Sequence, residues 1–287
     1  MEKISLKAPA KINLYLKVLG KRDDGYHEIE SLMQAIDIDD QITLGRSDVI
    51  EMTCDDPALP VDESNLAFKA ALVMQERFYF PGVKIDLQKR IPWGSGLGGG
   101  SSDAAFVLRG LSRLYGLSPS ADDMLRMAME IGSDVPFFLS SGQALVTGRG
   151  EKIRSIFLPR NYDIVVIVPP VTSSTAEAYA GARISLTKPG PLVLLEKRIN
   201  VSRFNRLVES FSNDLEEAVL RKSPEFAELK RVLSEAGAFL SSMTGSGSAF
   251  FGIFPHGGGE DLDPGERLGF GCRVYRCRPI LLSPGFS

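Results

Sequence analysis

The chain of 287 residues predicts an α+β protein, and three observations predict it. Segments of polar–apolar alternation and segments with apolar residues at helical spacing follow one another in mixed order, which calls for at least one packed sheet with helices against it. Hydrophobic residues make up 44% of the chain, enough for a substantial core. The length exceeds a typical single domain, so one large domain or two intimate ones is expected.

The first element is the strand "AKINLYLKVL". Its Ile12, Leu14, Leu16 and Val18 alternate with Lys11, Asn13, Tyr15 and Lys17, a half-buried strand with Lys11 and Asn13 on one, more polar face. Asp24-Gly25 is a hairpin-turn signal leading into Tyr26 and His27. "DQITLG" and "VIEMTC" read as further strands. A helix follows with Ser64 as its cap and Leu66, Ala70 and Val73 at helical spacing. "VKIDLQKRIP" alternates again, with Val83, Ile85 and Leu87 on one face. After the glycine-rich stretch Gly94–Ala105, Val107, Leu108, Leu111 and Leu114 form a helical stripe. "SADDMLRMAMEIG" is another helix, closed by Gly132.

A second run opens with the strand "YDIVVIVPP", and Pro169-Pro170 marks a candidate junction. "SRFNRLVESF", "DLEEAVLRK" and "PEFAELKRVLSEAG" read as helices, with Pro224 suited to the first turn of the last. "SAFFGIF" is a buried strand, "PHGGGEDLDPGE" a surface loop and "CRVYRCRP" a closing strand. No internal repeat is visible.

Composition removes several classes of function. A formal charge of −3 supplies no field for nucleic acid or an anionic membrane. No stretch approaches the roughly 20 apolar residues of a membrane span, and the N-terminus alternates rather than forming a signal peptide. Cys54, Cys272 and Cys277 give neither a disulfide framework nor a zinc pattern, and the two histidines, His27 and His256, cannot build a metal site alone. A cytoplasmic protein with a small-molecule partner is expected; monomer and homodimer both stay open.

The stretch "GSGLGGGSSDAA" lies between an alternating strand and an amphipathic helix, which argues against a linker. Glycines leave no Cβ in the way, so successive N–H groups can surround phosphate oxygens, and the following helix aims its N-terminal N–H groups at the same place. The usual P-loop lysine is missing. Gly94, Gly96 and Gly99 fit the dinucleotide spacing G-x-G-x-x-G, but the next element reads as a helix where that fold needs a second parallel strand. A nicotinamide-dependent oxidoreductase is therefore the weaker reading, and a nucleotide-binding regulator without turnover is a third.

"PWGSGLGGGSSDAA" resembles the ATP-phosphate loop of the GHMP small-molecule kinases. "APAKINLYLKVLGKRDDGYHEIESLMQAID", "IGSDVPFFLSSGQALVTGRGE" and "MTGSGSAFFGIF" extend that resemblance in the family's order over most of the chain. It implies a two-domain fold: a ribosomal-protein-S5-domain-2-like ATP-binding domain over 1–160 and a ferredoxin-like substrate-binding domain over 161–287. It implies ATP and Mg²⁺, the metal ligands staying unassigned beyond the hydroxyls of Ser101 and Ser102. Pro92, Trp93, Gly94, Ser95, Gly96, Leu97, Gly98, Gly99, Gly100, Ser101 and Ser102 would hold the phosphates, with Asn65, Leu66 and Lys89 near the adenine.

By the same resemblance Asp134 accepts the proton of the acceptor hydroxyl, and Lys11 pairs with it and offsets phosphoryl charge. Asn13 hydrogen-bonds a substrate hydroxyl. In "DGYH", Tyr26 would stack near a cytosine and His27 read its edge. The acceptor implied is the 2-hydroxyl of a cytidine-diphosphate conjugate of methylerythritol, in non-mevalonate isoprenoid synthesis; a homoserine or mevalonate-type alcohol is the nearest alternative. Gly245 and Ser246, with Gly247, would meet the substrate phosphates or support the ATP loop. Thr172–Thr175 and Tyr179 fall on the substrate side without individual roles, and Asn213 reads as a helix cap.

Overall fold

The structure, a computed structural model, describes residues 3–182, 192, 196–260, 262 and 271–283. Its first part comprises β1 (Lys3–Lys21), β2 (His27–Ser47), β3 (Ile50–Cys54), α1 (Leu66–Arg77), β4 (Gly82–Gln88), α2 (Gly99–Tyr115), α3 (Ala121–Ile131), α4 (Val135–Phe138), β5 (Gln143–Gly148) and β6 (Lys152–Ser155). Then follow β7 (Tyr162–Val168), α5 (Thr175–Gly181), α6 (Val201–Val208), α7 (Glu216–Lys222), a 3-10 turn at Pro224–Phe226, α8 (Ala227–Glu235), β8 (Leu240–Met243), β9 (Phe250–Pro255) and β10 (Arg273–Cys277).

The first six strands form one sheet in the order β3-β4-β2-β5-β6, with β1 on the other edge of β2. β1 and β2 pair antiparallel from Lys3↔Gly45 to Lys21↔His27, so one long hairpin carries both the Lys11 strand and the Tyr26–His27 turn. The second sheet is antiparallel, β10-β7-β9-β8. Counted along the chain, its strands lie in the order 4-1-3-2 expected of a ferredoxin-like sheet.

The two sheets stack face to face, and side-chain alternation divides the interior into layers. In β7, Ile164 and Val166 point into the core between the sheets, while Val165 and Ile167 point into the core under α7 and α8. β9 does the same with Phe251 and Ile253 against Phe250 and Phe254. In β2, Leu32 and Ile36 enter the middle core, and Met33 and Ala35 meet the layer of α1, α2 and α3. Helices therefore cover the outer face of each sheet.

This layering corrects several sequence expectations. β1 is buried on both faces from Ala8 to Leu16, so the polar face holding Lys11 and Asn13 lies inside the protein rather than in solvent. β2 is far longer than "DQITLG", because a strand buried on both sides need not alternate and its inward Glu30, Ser31 and Gln34 obscured the pattern. The cap of α1 is Asn65, whose Oδ1 accepts from Ala67 N at 2.9 Å; Ser64 donates to Asp62 instead. α5 and β8 were not anticipated. Much of the expected 255–266 surface loop lies outside the described residues. After β10 the chain returns to the first sheet, where Ile280 N donates to Ala35 O and Leu282 N to Ser141 O, both at 2.9 Å.

Because Ile12, Leu14 and Ile36 share one core with Ile164, Val166 and Phe251, neither sheet has a complete hydrophobic core alone. Phe251→Ala should cost about 3–5 kcal/mol and shift unfolding as one transition. Urea curves followed by Trp93 fluorescence and by far-UV dichroism should keep a common midpoint; two separated midpoints would contradict the shared core.

Candidate active site

The glycine stretch forms a loop followed directly by α2, whose first turn is Gly99–Ser102. Two of its glycines are imposed by what lies against them. Gly96 has φ +81°, and a Cβ there would collide with the Thr244 carbonyl oxygen. Gly98, the left-handed cap of α2, has φ +74°, and its Cβ would lie 3.0 Å from Lys11 Cε and 3.2 Å from Phe138 Cζ. The loop is tied on both sides: Lys11 N donates to Leu97 O at 2.9 Å and Ala249 N to Ser95 O at 3.0 Å. Gly94, Gly96, Gly98 and Ser101 line a cavity of about 1020 Å³ between the sheets' ends. α3 follows α2 where a dinucleotide fold would require a strand, so that reading is excluded.

Lys11 and Asp134 meet in this cavity. Lys11 Nζ lies 3.4 Å from Asp134 Oδ2 and donates to Asn13 Oδ1 at 2.6 Å. The lysine side chain is 3% exposed and the aspartate 35% exposed, so the cation is held from below and the carboxylate faces the opening. Asn13 is fixed in turn, its Nδ2 donating to Ser31 Oγ at 2.8 Å and its backbone N to Thr244 Oγ1 at 3.0 Å. Asp134 stands at the start of α4 yet makes no capping bond, which leaves its carboxylate to the cavity.

At the other end His27 stacks on Tyr179 of α5, ring centroids 4.9 Å apart and planes 24° apart. Burial, then nearby Lys21, holds His27 below the ordinary histidine value, so the imidazole is neutral at pH 7. The Tyr179 phenol is pushed up by burial and by Asp134. The Tyr26 ring is half exposed and carries the Arg149 guanidinium 4.8 Å from its centroid.

Comparison with known proteins puts these features in a family. The profile of the GHMP kinases N terminal domain matches residues 65–142 and that of the GHMP kinases C terminal domain matches 192–268. A 4-diphosphocytidyl-2-C-methyl-D-erythritol kinase of Chlorobium phaeobacteroides is 40% identical over 100% of this chain and 97% of its own, and one of Bacillus velezensis 40% over 96% of each. The chain belongs to the 4-diphosphocytidyl-2-C-methyl-D-erythritol kinase family of the GHMP kinases. A crystal structure of 4-(cytidine 5'-diphospho)-2C-methyl-D-erythritol kinase, 31% identical, superposes with a TM-score of 0.74 over 96% of this chain and 99% of that one. A homoserine kinase from Cytophaga hutchinsonii, 23% identical over 98% and 96% of the two chains, shares the fold with a TM-score of 0.69.

Against that GHMP kinase frame, the large cavity gathers Lys11, Asn13, Tyr26, His27, Leu66 and Asp134 with Gly94, Gly96 and Gly98 of the loop, Gly245 and Ser246, whereas Leu97 is buried in the core between the sheets and Gly99 and Gly100 do not line the cavity. It does not gather all the expected residues. Asn65 uses its amide to cap α1 and to donate to Pro60 O at 2.8 Å. Pro92, Trp93 and Ser95 line a separate cavity of about 520 Å³ behind the loop. Lys89 borders that second cavity too, but its ammonium is buried between Asp40 and Asp103, 2.8 Å from Asp103 Oδ2. Ser102 is enclosed and its hydroxyl has no partner, so of the two loop serines Ser101 is the one that lines the large cavity. Ser101 and Asp134 present hard oxygen donors there, which suits a Mg²⁺ that arrives on phosphates and keeps most of its waters. No group of three or more His, Cys, Asp or Glu side chains among the described residues forms a dedicated metal cage.

Sequence reasoning understated Asn213. Besides accepting from Leu215 N, it donates to Met243 O and Gly245 O, both at 2.8 Å, and thereby fixes the glycine turn beside Lys11. A Cβ on Gly245 would stand 3.3 Å from Lys11 Nζ. The only hint in the sequence was an asparagine before a helix, which capping already explained.

The Lys89 cluster has two carboxylates for one cation. Burial pushes the Asp103 carboxyl above the ordinary aspartate range, Asp40 adds to this, and Lys89 opposes it. The folded protein therefore holds a proton that the unfolded chain has released, and stability should fall as pH rises from the unfolded aspartate range, about 4, toward the raised native value. In Asp103→Asn this contribution disappears. Denaturant midpoints measured from pH 4.5 to 7.5 should decline less steeply in the variant than in the wild type; identical slopes would remove the effect.

Proposed function

We propose that this chain transfers the terminal phosphoryl group of ATP to the 2-hydroxyl of 4-diphosphocytidyl-2-C-methyl-D-erythritol, giving the 2-phosphate and ADP in non-mevalonate isoprenoid precursor synthesis. One observation carries the reading: a single cavity has a glycine loop and the Lys11–Asp134 pair in one part and an imidazole among aromatic rings in another. A homoserine or mevalonate-type acceptor offers nothing for His27 and the tyrosines to recognise.

Phosphoryl transfer asks the protein mainly for positioning and charge neutralisation. The loop amides and the N-terminus of α2 bind the nucleotide phosphates. Asp134 takes the acceptor proton as the new bond forms, and Lys11, already desolvated, offsets charge on the transferring oxygens. Asn13 sets the ammonium of Lys11 and orients the acceptor. Ser101 would be a protein ligand to a Mg²⁺ carried on the phosphates, which would supply further charge neutralisation. Neutral His27 offers one donor and one acceptor to a cytosine edge. We place the domain division at residues 160/161, with the nucleotide held chiefly by 1–160. Among the described residues no helix is long and apolar enough to cross a membrane, and we assign the protein to the cytoplasm.

A coupled ADP-release assay with the cytidyl substrate, mevalonate and homoserine in parallel tests the acceptor; turnover confined to either of the last two would overturn it. Asp134→Asn should lower kcat by about 10²–10⁴-fold while nucleotide still binds, and a near-native rate would refute its role. As pH falls below the ordinary histidine value of 6.5, protonation of His27 removes its acceptor, so KM for the cytidyl substrate should rise. His27→Gln should abolish that rise, and a pH profile unchanged by the substitution would take His27 out of base recognition.

A further inference from the structure

We infer that Arg149, with Lys21 beside the same opening, forms a separate anion site for the diphosphate of the cytidyl substrate. The inference rests on the substrate reading given above and gives the diphosphate a cationic partner besides the uncharged Gly245–Gly247 turn.

Arg149 occupies the tight turn between β5 and β6, and this turn touches both working ends of the cavity. On one side the carbonyl and Cβ of Ser133, the residue before Asp134, fill the space where Gly150 would carry a side chain. On the other side the Arg149 guanidinium lies over the Tyr26 ring. A molecule with its base near Tyr26 and His27 and its reacting hydroxyl near Asp134 must run its linker past this arginine. In the proposed substrate that linker is the diphosphate, which carries two negative charges.

The charges around the opening are allotted so that Arg149 and Lys21 stay available. Glu151, the acid nearest in sequence, accepts from Arg149 backbone N at 2.7 Å rather than from the guanidinium. Arg22 is neutralised by Asp24 and by Glu28 at 2.8 Å, and Asp24 also accepts from Tyr26 N. Lys11 is committed to Asp134 and Asn13. Neither Arg149 nor Lys21 has an ion-pair partner among the described residues, yet both line the cavity. The guanidinium carbon lies 4.8 Å from the Tyr26 ring centroid, and its paired N–H groups match phosphate oxygens in a way a lysine does not.

Calorimetric titration of cytidine 5'-diphosphate and of cytidine, each into the wild type, Arg149→Met and Arg149→Lys, separates charge recognition from base recognition. Arg149→Met should weaken the diphosphate by about tenfold and cytidine by less than about twofold, with Arg149→Lys between. Equal weakening of both ligands would overturn the inference, because Arg149 would then only back the Tyr26 ring; so would unchanged diphosphate affinity. A wild type that binds neither ligand would overturn the cytidyl reading itself, and this inference with it. A thermal melt of each variant establishes that it is folded, and Lys21→Met supplies a second test of the same charge effect should Arg149→Met not fold.

Discussion

The contact between Gly96 and the Thr244 carbonyl is the constraint on which the rest of the site depends. The loop that would grip phosphates comes from the first sheet's connections, the turn that touches it comes from the second sheet, and no side chain fits between them. Around that contact the hydrogen bonds alternate in origin. Lys11 N reaches the loop at Leu97, Ala249 N reaches it at Ser95, and Thr244 Oγ1 accepts from Asn13 N. Asn213 holds the turn from behind. The loop is therefore preorganised by both sheets at once, which lowers the ordering needed when a charged ligand arrives.

Two buried lysines illustrate how the same residue type acquires different work. Both sit beside acids at the rim of the glycine loop, and burial makes an unpaired ammonium expensive in either place. Lys89 is enclosed by two carboxylates, so its charge is spent on holding the end of β4 to β2 and α2. Lys11 has one acid, and that acid is partly open to the cavity. Its charge is balanced without being closed off. The difference lies in the second carboxylate, Asp40 or Asp103, which arrives from elsewhere in the chain.

Such differences explain what could be read from the sequence. β4 and α2 were legible because each buries one face and its period shows it, and the glycine loop was legible because few other needs place so many glycines between a strand and a helix. The family's motifs located Lys11 and Asp134, whose meeting across some 120 residues no periodicity reveals. The length of β2 was illegible because both its faces are covered. Lys89 read as a nucleotide contact because Asp40 and Asp103 are invisible neighbours in a linear chain. Tyr179 was read as facing the substrate without a named partner, since its contact with His27 spans two sheets.

That cross-sheet stack has a consequence for recognition. Each ring in a stack commits one face to the other, so His27 and Tyr179 keep one outer face and their edges. Tyr26 has one face under Arg149 and one open. A planar heterocycle can use the open face of Tyr26 while its edge meets the neutral imidazole, and both requirements must be met together. A sugar or an amino acid satisfies neither, whereas a nucleobase satisfies both. On the proposed reading, specificity for the acceptor arises where a hairpin of the first sheet meets α5 of the second. On that reading the relative placement of the two sheets governs substrate choice and phosphoryl transfer alike.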